Sequence, residues 1–258
     1  MIRANCHNRG RVSKAFEAMT GMNRVEEGQV MSRHVLPGDP PVELLLKRSS
    51  RARRISLRVS GVDGRVTLTL PRGVSEREAL EFAGEKAAWL RGHLEKRPDE
   101  VTVGFGAELP FRGRMLRVVP GQGRAVVVRE GEIAVPGKPE RVGARALGFV
   151  KEAARARLAE ASDHYAGALG RDYTRLTLRD TRSRWGSCSS HGGLMYSWRL
   201  ILAPDEVLNY VAAHEVAHLE EMNHSARFWG QVERLYGEYD GPRQWLRVNG
   251  AGLHRFRF

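Results

Sequence analysis

The chain has 258 residues, of which 41% are hydrophobic and 28% charged, and its formal net charge at pH 7 is +12. A chain of this length and composition can bury the core of one large domain or two small ones, which excludes disorder throughout. No run approaches the roughly 18–20 apolar residues of a membrane-spanning helix, and the start of the chain lacks a secretory apolar block, so we expect a cytoplasmic protein without membrane contact.

Residues 1–41 open the chain without a sustained hydrophobic period of two or 3.6 residues, which predicts a disordered leader. Residues 1–60 contain 12 basic and 5 acidic side chains, so +7 of the net charge lies in the first quarter of the chain. This excess favours weak contact with nucleic acid or another anionic partner through the Arg48–Arg58 region.

A hairpin and a helix are predicted next. Apolar and polar residues alternate over 55–59 and 66–70, and a glycine-containing turn separates the two runs, which is typical of two paired strands. Ser75 and Glu78 then form a capping box, which predicts a helix that begins there and ends near Pro98.

Short apolar runs over 101–136, divided by glycine and proline turns, predict a small antiparallel sheet. It completes a β-rich amino-terminal domain over 42–138. A long amphipathic helix up to Gly170 opens the second domain, residues 139–258. The elements expected after it are a strand over 174–179, a strand over 194–202 and two helices separated at 222–225.

The pattern HEVAH at 214–218 is the most informative part of the sequence. Val207, Val211, His214 and His218 recur at intervals of four, three and four residues, which places both imidazoles on one apolar helix face. Two imidazoles four residues apart on a helix can bind one ion. Glu215, about 60° from His218 around the helix, can act on water at that ion without being a ligand.

A third ligand follows six residues after His218, at His224. Asn223 can adopt the left-handed turn that ends a helix, and Ser225 can cap the next helix, so a helix break would return His224 toward the other two. Three histidines with an open fourth position are typical of catalytic zinc. We therefore expect one Zn²⁺ bound by His214, His218 and His224.

Other ligand sets remain open at this point. The histidine spacing equals that of metzincins, but Glu221 stands where their glycine is expected, and no methionine follows residue 222. A thermolysin-like site would take its third ligand from the following helix, where Glu233 and Glu238 are the candidates. Cys188 is better interpreted as a small buried residue than as a fourth ligand, because four protein ligands would close the site.

Five motifs occur in a fixed order along the chain. They are RWGSCS at 184–189, WRLI at 198–201, AP at 203–204, HEVAH at 214–218, and NHS at 223–225 with Phe228-Trp229. In these motifs the sequence resembles the YgjP-like metallopeptidase domain family, which is related to the SprT-like and WLM zinc-peptidase groups. The similarity extends from about Val42 to Arg247. Ser197 departs from it, because an asparagine usually precedes the WRL run.

The resemblance implies a peptidase that acts on peptides or proteins, with zinc on His214, His218 and His224 and Glu215 as the catalytic carboxylate. The expected fold is α+β: the β-rich amino-terminal domain with a helix, then a zincin-like domain that contains the HExxH helix. An alternative from another class is a nucleic-acid-associated binding protein whose zinc is structural, or which acts only on nucleic-acid-bound proteins.

The substrate-binding residues are predicted less sharply than the metal ligands. The candidates are Arg184, Trp185, Ser187 and Tyr196. In zincins the strand after such a loop runs beside the cleft, so we expect an extended peptide along Leu194–Leu202. A hydrogen bond to the substrate carbonyl could come from Tyr196, Tyr210, His191 or Tyr236, and the sequence does not choose among them.

Overall fold

The computed structural model describes residues 30–61, 63–95 and 99–258, so most of the predicted leader lies outside the described residues. The chain divides into two compact units, one of residues up to 97 and the other from 98 onward. Both units combine strands with helices, which gives a mixed α and β fold. None of the helices in the described part of the chain has the length and hydropathy needed to cross a bilayer.

The first unit is a four-stranded sheet followed by two helices. Its elements are β1 (Val30–Leu36), β2 (Val42–Arg48), β3 (Ser56–Val59), β4 (Val66–Leu70), α1 (Glu76–Glu85) and α2 (Ala87–Glu95). The strand order is β1-β2-β4-β3. β2 and β4 are parallel, whereas β1 and β3 pair antiparallel with their neighbours, so the predicted β3–β4 hairpin is confirmed.

The core of the first unit follows from alternation along its strands. Val66, Leu68 and Leu70 of β4 are buried, as are the inward residues of β2 and one side of α1 and α2. The predicted cap is confirmed, because the Glu78 N–H donates to Ser75 Oγ at 3.2 Å. The predicted single helix is interrupted, since α1 ends at a C-cap residue, Lys86, with φ −95° and ψ 8°, and α2 begins at the next residue.

Part of the predicted leader is ordered and belongs to the sheet. β1 pairs along β2, with Leu36 opposite Val42, and Leu36 is buried in the core. The prediction of disorder is therefore wrong for residues 30–36. The hydrophobic period of β1 alone does not predict this strand, because pairing with β2 determines which side of β1 faces the core.

The second unit contains the remaining elements. The strands are β5 (Val101–Thr102), β6 (Glu108–Phe111), β7 (Arg114–Gly121), β8 (Val127–Arg129), β9 (Glu132–Pro136), β10 (Arg175–Arg179), β11 (Gly186–Cys188), β12 (Gly193–Ser197) and β13 (Phe256–Arg257). The helices are α3 (Val142–Leu169), α4 (Asp205–Ala217), α5 (Ala226–Tyr236) and α6 (Asp240–Asn249). The long helix predicted before Gly170 is confirmed as α3.

The sheet predicted over 101–136 is formed by residues 108–136, and it is mixed and not antiparallel as predicted, while β5 pairs separately with β13. Its strand order is β6-β7-β9-β8, and the central pair, β7 and β9, is parallel. The chain leaves β7, forms β8 at the far edge and returns as β9 between them. Short apolar runs with turns fit either direction of pairing, so the sequence pattern could not separate the two.

This mixed sheet shares one apolar core with α3 and α4. Leu109, Val118 and Ile133 from the sheet are fully buried together with Val150 and Leu158 of α3. The compact units consequently divide at residue 97, which differs from the predicted boundary at residue 138. The proline- and glycine-containing segment before α3 has the composition of a linker, but it joins two elements of the same core.

A three-stranded sheet in the order β10-β12-β11 lies beside α4. β10 pairs parallel with β12, and β11 pairs antiparallel with it, so β12 is central and β11 is an edge strand. β12 ends at Ser197, where the chain turns into a 3₁₀ helix, Trp198–Leu202. The predicted strand over 194–202 is thus correct only in its first part.

Candidate metal centre

The HEVAH sequence lies at the end of α4, a helix that is buried around most of its circumference. Val207, Leu208 and Ala213 are fully buried, and only the first two turns contain partly exposed residues. A helix that is buried on nearly every side belongs inside a core, so its last turn is held in place by packing. His214 and Glu215 occupy its last turn, and His218 is its C-cap residue.

The chain bends back after α4 and brings His224 to the other two histidines. Ser225 caps α5, since its Oγ accepts from the Phe228 N–H at 3.4 Å, and Asn223 Oδ1 accepts from the Ser225 N–H at 3.0 Å. Asn223 does not adopt the predicted left-handed conformation, which Arg112 alone has among the described residues other than glycine. The predicted helix break is confirmed, but the Asn223 side chain stabilises it.

The three imidazoles form one cluster. Their ligand nitrogens all lie within 4.8 Å of one another, and His214 Nε2 lies 3.1 Å from His224 Nε2. Among the described residues, no cysteine or carboxylate joins this group, so Glu233, Glu238 and Cys188 are not part of it. The choice of His224 over those alternatives agrees with this geometry.

The surroundings favour the neutral, metal-binding form of each imidazole. His218 Nδ1 lies 2.9 Å from the carbonyl oxygen of Glu221, which can only accept, so Nδ1 donates and Nε2 keeps its lone pair. Burial, together with charge repulsion from His218 and His224, lowers the pKa of His214 to about 3. Desolvation also lowers the pKa of His218 and of His224. Three neutral imidazoles that converge in this way fit a divalent metal ion.

Glu215 lies beside the cluster and against β11. It is buried, and its carboxylate accepts a hydrogen bond from the backbone N–H of Cys188. Burial raises the pKa of Glu215 to about 8, although the charge of Arg184 and the Cys188 hydrogen bond act in the opposite direction. A carboxyl group with a pKa near neutrality can both accept and release a proton under ordinary conditions.

The four predicted substrate-binding residues lie in different environments. Arg184 is exposed. Trp185, just before the edge strand β11, and Ser187, within it, are half-buried. Trp185 packs its ring 5.3 Å from that of His254, measured between centroids. Tyr196 is fully buried, and its hydroxyl is bonded to Ser162 of α3 at 3.0 Å. Tyr196 is therefore a core residue and not a substrate contact.

The other predicted hydrogen-bond donors also differ in position. Tyr210 has its ring 5.9 Å from that of His214, and its buried hydroxyl has no hydrogen-bond partner among the described residues. The Tyr236 hydroxyl donates to the Glu206 carbonyl oxygen at 2.9 Å, and His191 lies in an exposed turn. Of the three, Tyr210 lies beside the imidazole cluster with its hydroxyl uncommitted.

Residues beyond the predicted set complete the surroundings of the histidines. The Trp229 ring lies 5.6 Å from that of His214 and 5.8 Å from that of His224. Tyr239 stacks on Trp229 at 5.2 Å, and the Arg243 guanidinium lies over the same ring at 4.8 Å. Tyr239 and Arg243 are four residues apart at α6, and this i, i+4 spacing is the sequence signal that could have placed both on one helix face.

The basic region predicted for nucleic-acid contact lies in the first unit. Arg48 is committed to structure, because its Nη1 donates to the carbonyl oxygens of Pro71, Arg72 and Val74 at 2.9–3.0 Å. The remaining arginines of this region, Arg51, Arg53, Arg54 and Arg58, are exposed.

Three imidazoles converge beside a buried carboxylate, an arrangement that fits a divalent metal ion with an acid–base group next to it. The chain belongs to the YgjP-like metallopeptidase domain family, which matches residues 53–249. The crystal structure of the metallopeptidase zymogen abylysin from Pyrococcus abyssi shares 21% identity, with a TM-score of 0.32, over 36% of this chain and 92% of that one. No curated protein matches the sequence.

Proposed function

We propose that this metallopeptidase is a zinc-dependent peptidase with a zincin-like site on α4 and the turn that follows it. The observation that carries the proposal is the convergence of the His214, His218 and His224 nitrogens within 4.8 Å, with Glu215 adjacent in sequence. In a hydrolytic enzyme, three imidazole ligands suit zinc better than other common metal ions.

Within this proposal, His214, His218 and His224 hold the ion and leave a position open for water or substrate. When bound, zinc supplies Lewis acidity that acidifies water and polarises the scissile carbonyl. Glu215 accepts the proton of the attacking water at its carboxylate and delivers it to the departing amine.

The substrate peptide is assigned to β11 in place of the predicted Leu194–Leu202. β12 is paired on both sides, so it has no free backbone groups for a further strand, whereas β11 is an edge. A peptide added there would meet the backbone of Gly186 beside Glu215. Arg184 and Ser187 flank this position, and both stay candidates for contact with the peptide.

Metal analysis followed by incubation with an unbiased peptide library tests the proposal. We expect one zinc per chain and cleavage that stops with a chelator and returns on addition of zinc. Cleavage that persists without metal, or a metal-loaded protein that cleaves no peptide in the library, would contradict it.

A second candidate function is nucleic-acid contact by the first unit. Arg33, Lys47 and Arg58 share one face of the sheet, and the opposite face is the buried one. In the register, Arg33 pairs with Leu45, Lys47 with Val30 and Thr69, and Arg58 with Thr67. None of these partners is aromatic, which favours phosphate contact over base stacking.

A salt titration of oligonucleotide retention tests this second candidate. Replacing Arg33, Lys47 and Arg58 by serine should lower the dependence of log affinity on log salt by up to about 3, because each phosphate contact contributes about 0.9. A matched control removes the same charge at Arg114, Arg117 and Arg129 of the second unit. Equal effects of the two triple variants, or negligible retention at low salt, would reject a specific surface.

A further inference from the structure

Gly186 begins β11 at the point where this strand meets the last turn of α4. A Cβ atom on Gly186 would lie 2.5 Å from Glu215 Cγ, 2.6 Å from Oε1 and 2.7 Å from Cδ. Non-bonded carbon atoms in favourable contact are about 3.5–4.0 Å apart. The space that a side chain at position 186 would need is therefore filled by the Glu215 side chain.

The backbone of Gly186 does not itself require glycine. Gly186 does not have a positive φ, and it pairs regularly with Tyr196 of β12. An alanine can adopt this extended conformation without backbone strain. The requirement for glycine is spatial, and the group that imposes it is the Glu215 carboxylate.

The same short strand also binds that carboxylate. The Cys188 N–H donates to Glu215. Trp185 and Ser189 form hydrogen bonds to β12, which leaves the backbone groups of Gly186 and Cys188 directed toward the free edge. Residues 186 and 188 also share one face of β11 by strand alternation. The Glu215 side chain thus contacts the edge strand at two residues: Gly186, which has no side chain, and Cys188, which supplies the N–H donor.

We propose that Gly186 is a positioning residue whose missing side chain forms the slot that seats Glu215 against the edge strand. This inference rests on the peptidase function proposed above. Because one strand both seats the proton-transferring group and carries the free edge for the peptide, β11 sets the distance between Glu215 and the substrate backbone. A side chain at position 186 would displace the carboxylate without touching the three imidazoles.

A double-mutant cycle in the full chain tests the slot independently of activity. Gly186→Ala should lower the melting temperature by about 2–12 °C, because a side chain forced into filled space destabilises the fold. In a Glu215→Ala background the obstructing side chain is gone, so the same substitution should leave the melting temperature unchanged. Gly148→Ala, on α3, is the matched control and should cause no loss, because no described atom beyond its own stretch of helix lies within 4 Å of the added Cβ.

The cycle remains informative if Gly186→Ala does not fold. The Gly186→Ala/Glu215→Ala double variant should then recover soluble, folded protein. Equal losses from Gly186→Ala in both backgrounds, or a double variant that also fails to fold, would overturn the proposal, because the clash would then lie with another group.

Kinetics separate positioning from a structural role. Gly186→Ala should lower kcat by about 10², the effect of a misplacement of about 1 Å, while KM and zinc per chain stay near wild type. A raised KM with unchanged kcat would overturn the proposal. Peptidase activity that is absent or insensitive to chelator in the wild type rejects the proposed function, whereas additive melting-temperature losses reject the slot even in an active peptidase.

Discussion

His218 and His224 owe their place in the cluster to the short turn after α4. The Glu221 carbonyl oxygen fixes the tautomer of His218, and the Asn223 and Ser225 side chains close the turn that returns His224 to His214. Backbone and side-chain partners of this kind orient ligands and raise their basicity. The geometry of the site therefore depends on a short piece of chain that contains no helix or strand.

Replacing the third histidine tests its role as a ligand. His224→Ala should lower zinc affinity by at least about 10². Removing a residue that only hydrogen-bonds to a metal ligand already lowers metal affinity by about 10–100-fold. The zinc content of the dialysed protein, measured by atomic emission, should fall nearly as far as in His214→Ala or His218→Ala. His191→Ala, in an exposed turn, is the control. Full zinc content in His224→Ala would show that the third ligand lies elsewhere.

His254 introduces a pH dependence of stability that is separate from the metal centre. Burial, with the charge of Arg199, lowers the pKa of His254 to about 4. Between about pH 6.5 and 4 the unfolded chain binds a proton that the folded chain does not, so stability falls as pH falls.

The contribution is about 1.4 kcal/mol for each pH unit in that window. Urea denaturation in the presence of chelator should therefore show a shallower pH dependence for His254→Gln than for the wild type. Identical slopes for the two proteins across that window would mean that the pKa of His254 is the same in the folded and unfolded chain.

At the scale of elements, two arginine–carboxylate pairs connect parts of the second unit. Arg199, in the 3₁₀ helix, is 4% exposed, donates to Asp180 at 2.7 and 3.1 Å, and donates to two carbonyl oxygens near the chain end. Arg112, in the β6–β7 turn, donates to Asp205 at the start of α4, and both side chains are partly exposed.

The two pairs should differ in their value to stability. Asp180→Asn should lower the free energy of unfolding by about 1.5–3 kcal/mol, because it weakens hydrogen bonds to a buried charge. Asp205→Asn should cost about 1 kcal/mol or less, as exposed ion pairs do. Urea denaturation of both variants measures the difference. A larger loss for Asp205→Asn would contradict this ranking.

The parts of the site that repeat with a helical period were predictable from sequence. The i and i+4 spacing placed His214 and His218 on one helix, and the caps around Asn223 and Ser225 indicated the break that positions His224. The burial of Tyr196 was not predictable. Alternation along β12 shows which residues share a face of the sheet, but not which of the two faces packs against α3. Nor does any local pattern show that β12 is central and β11 an edge, because strand order depends on contacts far apart in sequence.

At the scale of the whole molecule, each compact unit has its own apolar core. In the first unit, β1 lies at the edge of the sheet, and Leu36 contributes to the core from it. The carboxy-terminal unit contains every residue of the proposed metal centre together with β11. Stability of the first unit and metal binding by the second can therefore be measured separately.

Two deletions test where the first unit begins. Removal of residues 1–29 should leave the melting temperature unchanged, because those residues show no hydrophobic period. Removal of residues 1–36 should lower it, since β2 loses its partner and Leu36 leaves the core. Loss of soluble protein with the shorter deletion would mean that residues before β1 are needed for folding.

The central claim is that Glu215 transfers protons in a zinc-dependent peptidase, and Glu215→Gln tests it most directly. Glutamine keeps the shape of the side chain but cannot accept a proton as a carboxylate does. Zinc per chain should stay at the wild-type value while the rate of peptide hydrolysis falls by at least about 10², the lower end of the range for general acid–base catalysis. Near-normal hydrolysis by Glu215→Gln, on a peptide that the wild type cleaves in a chelator-sensitive way, would contradict the claim.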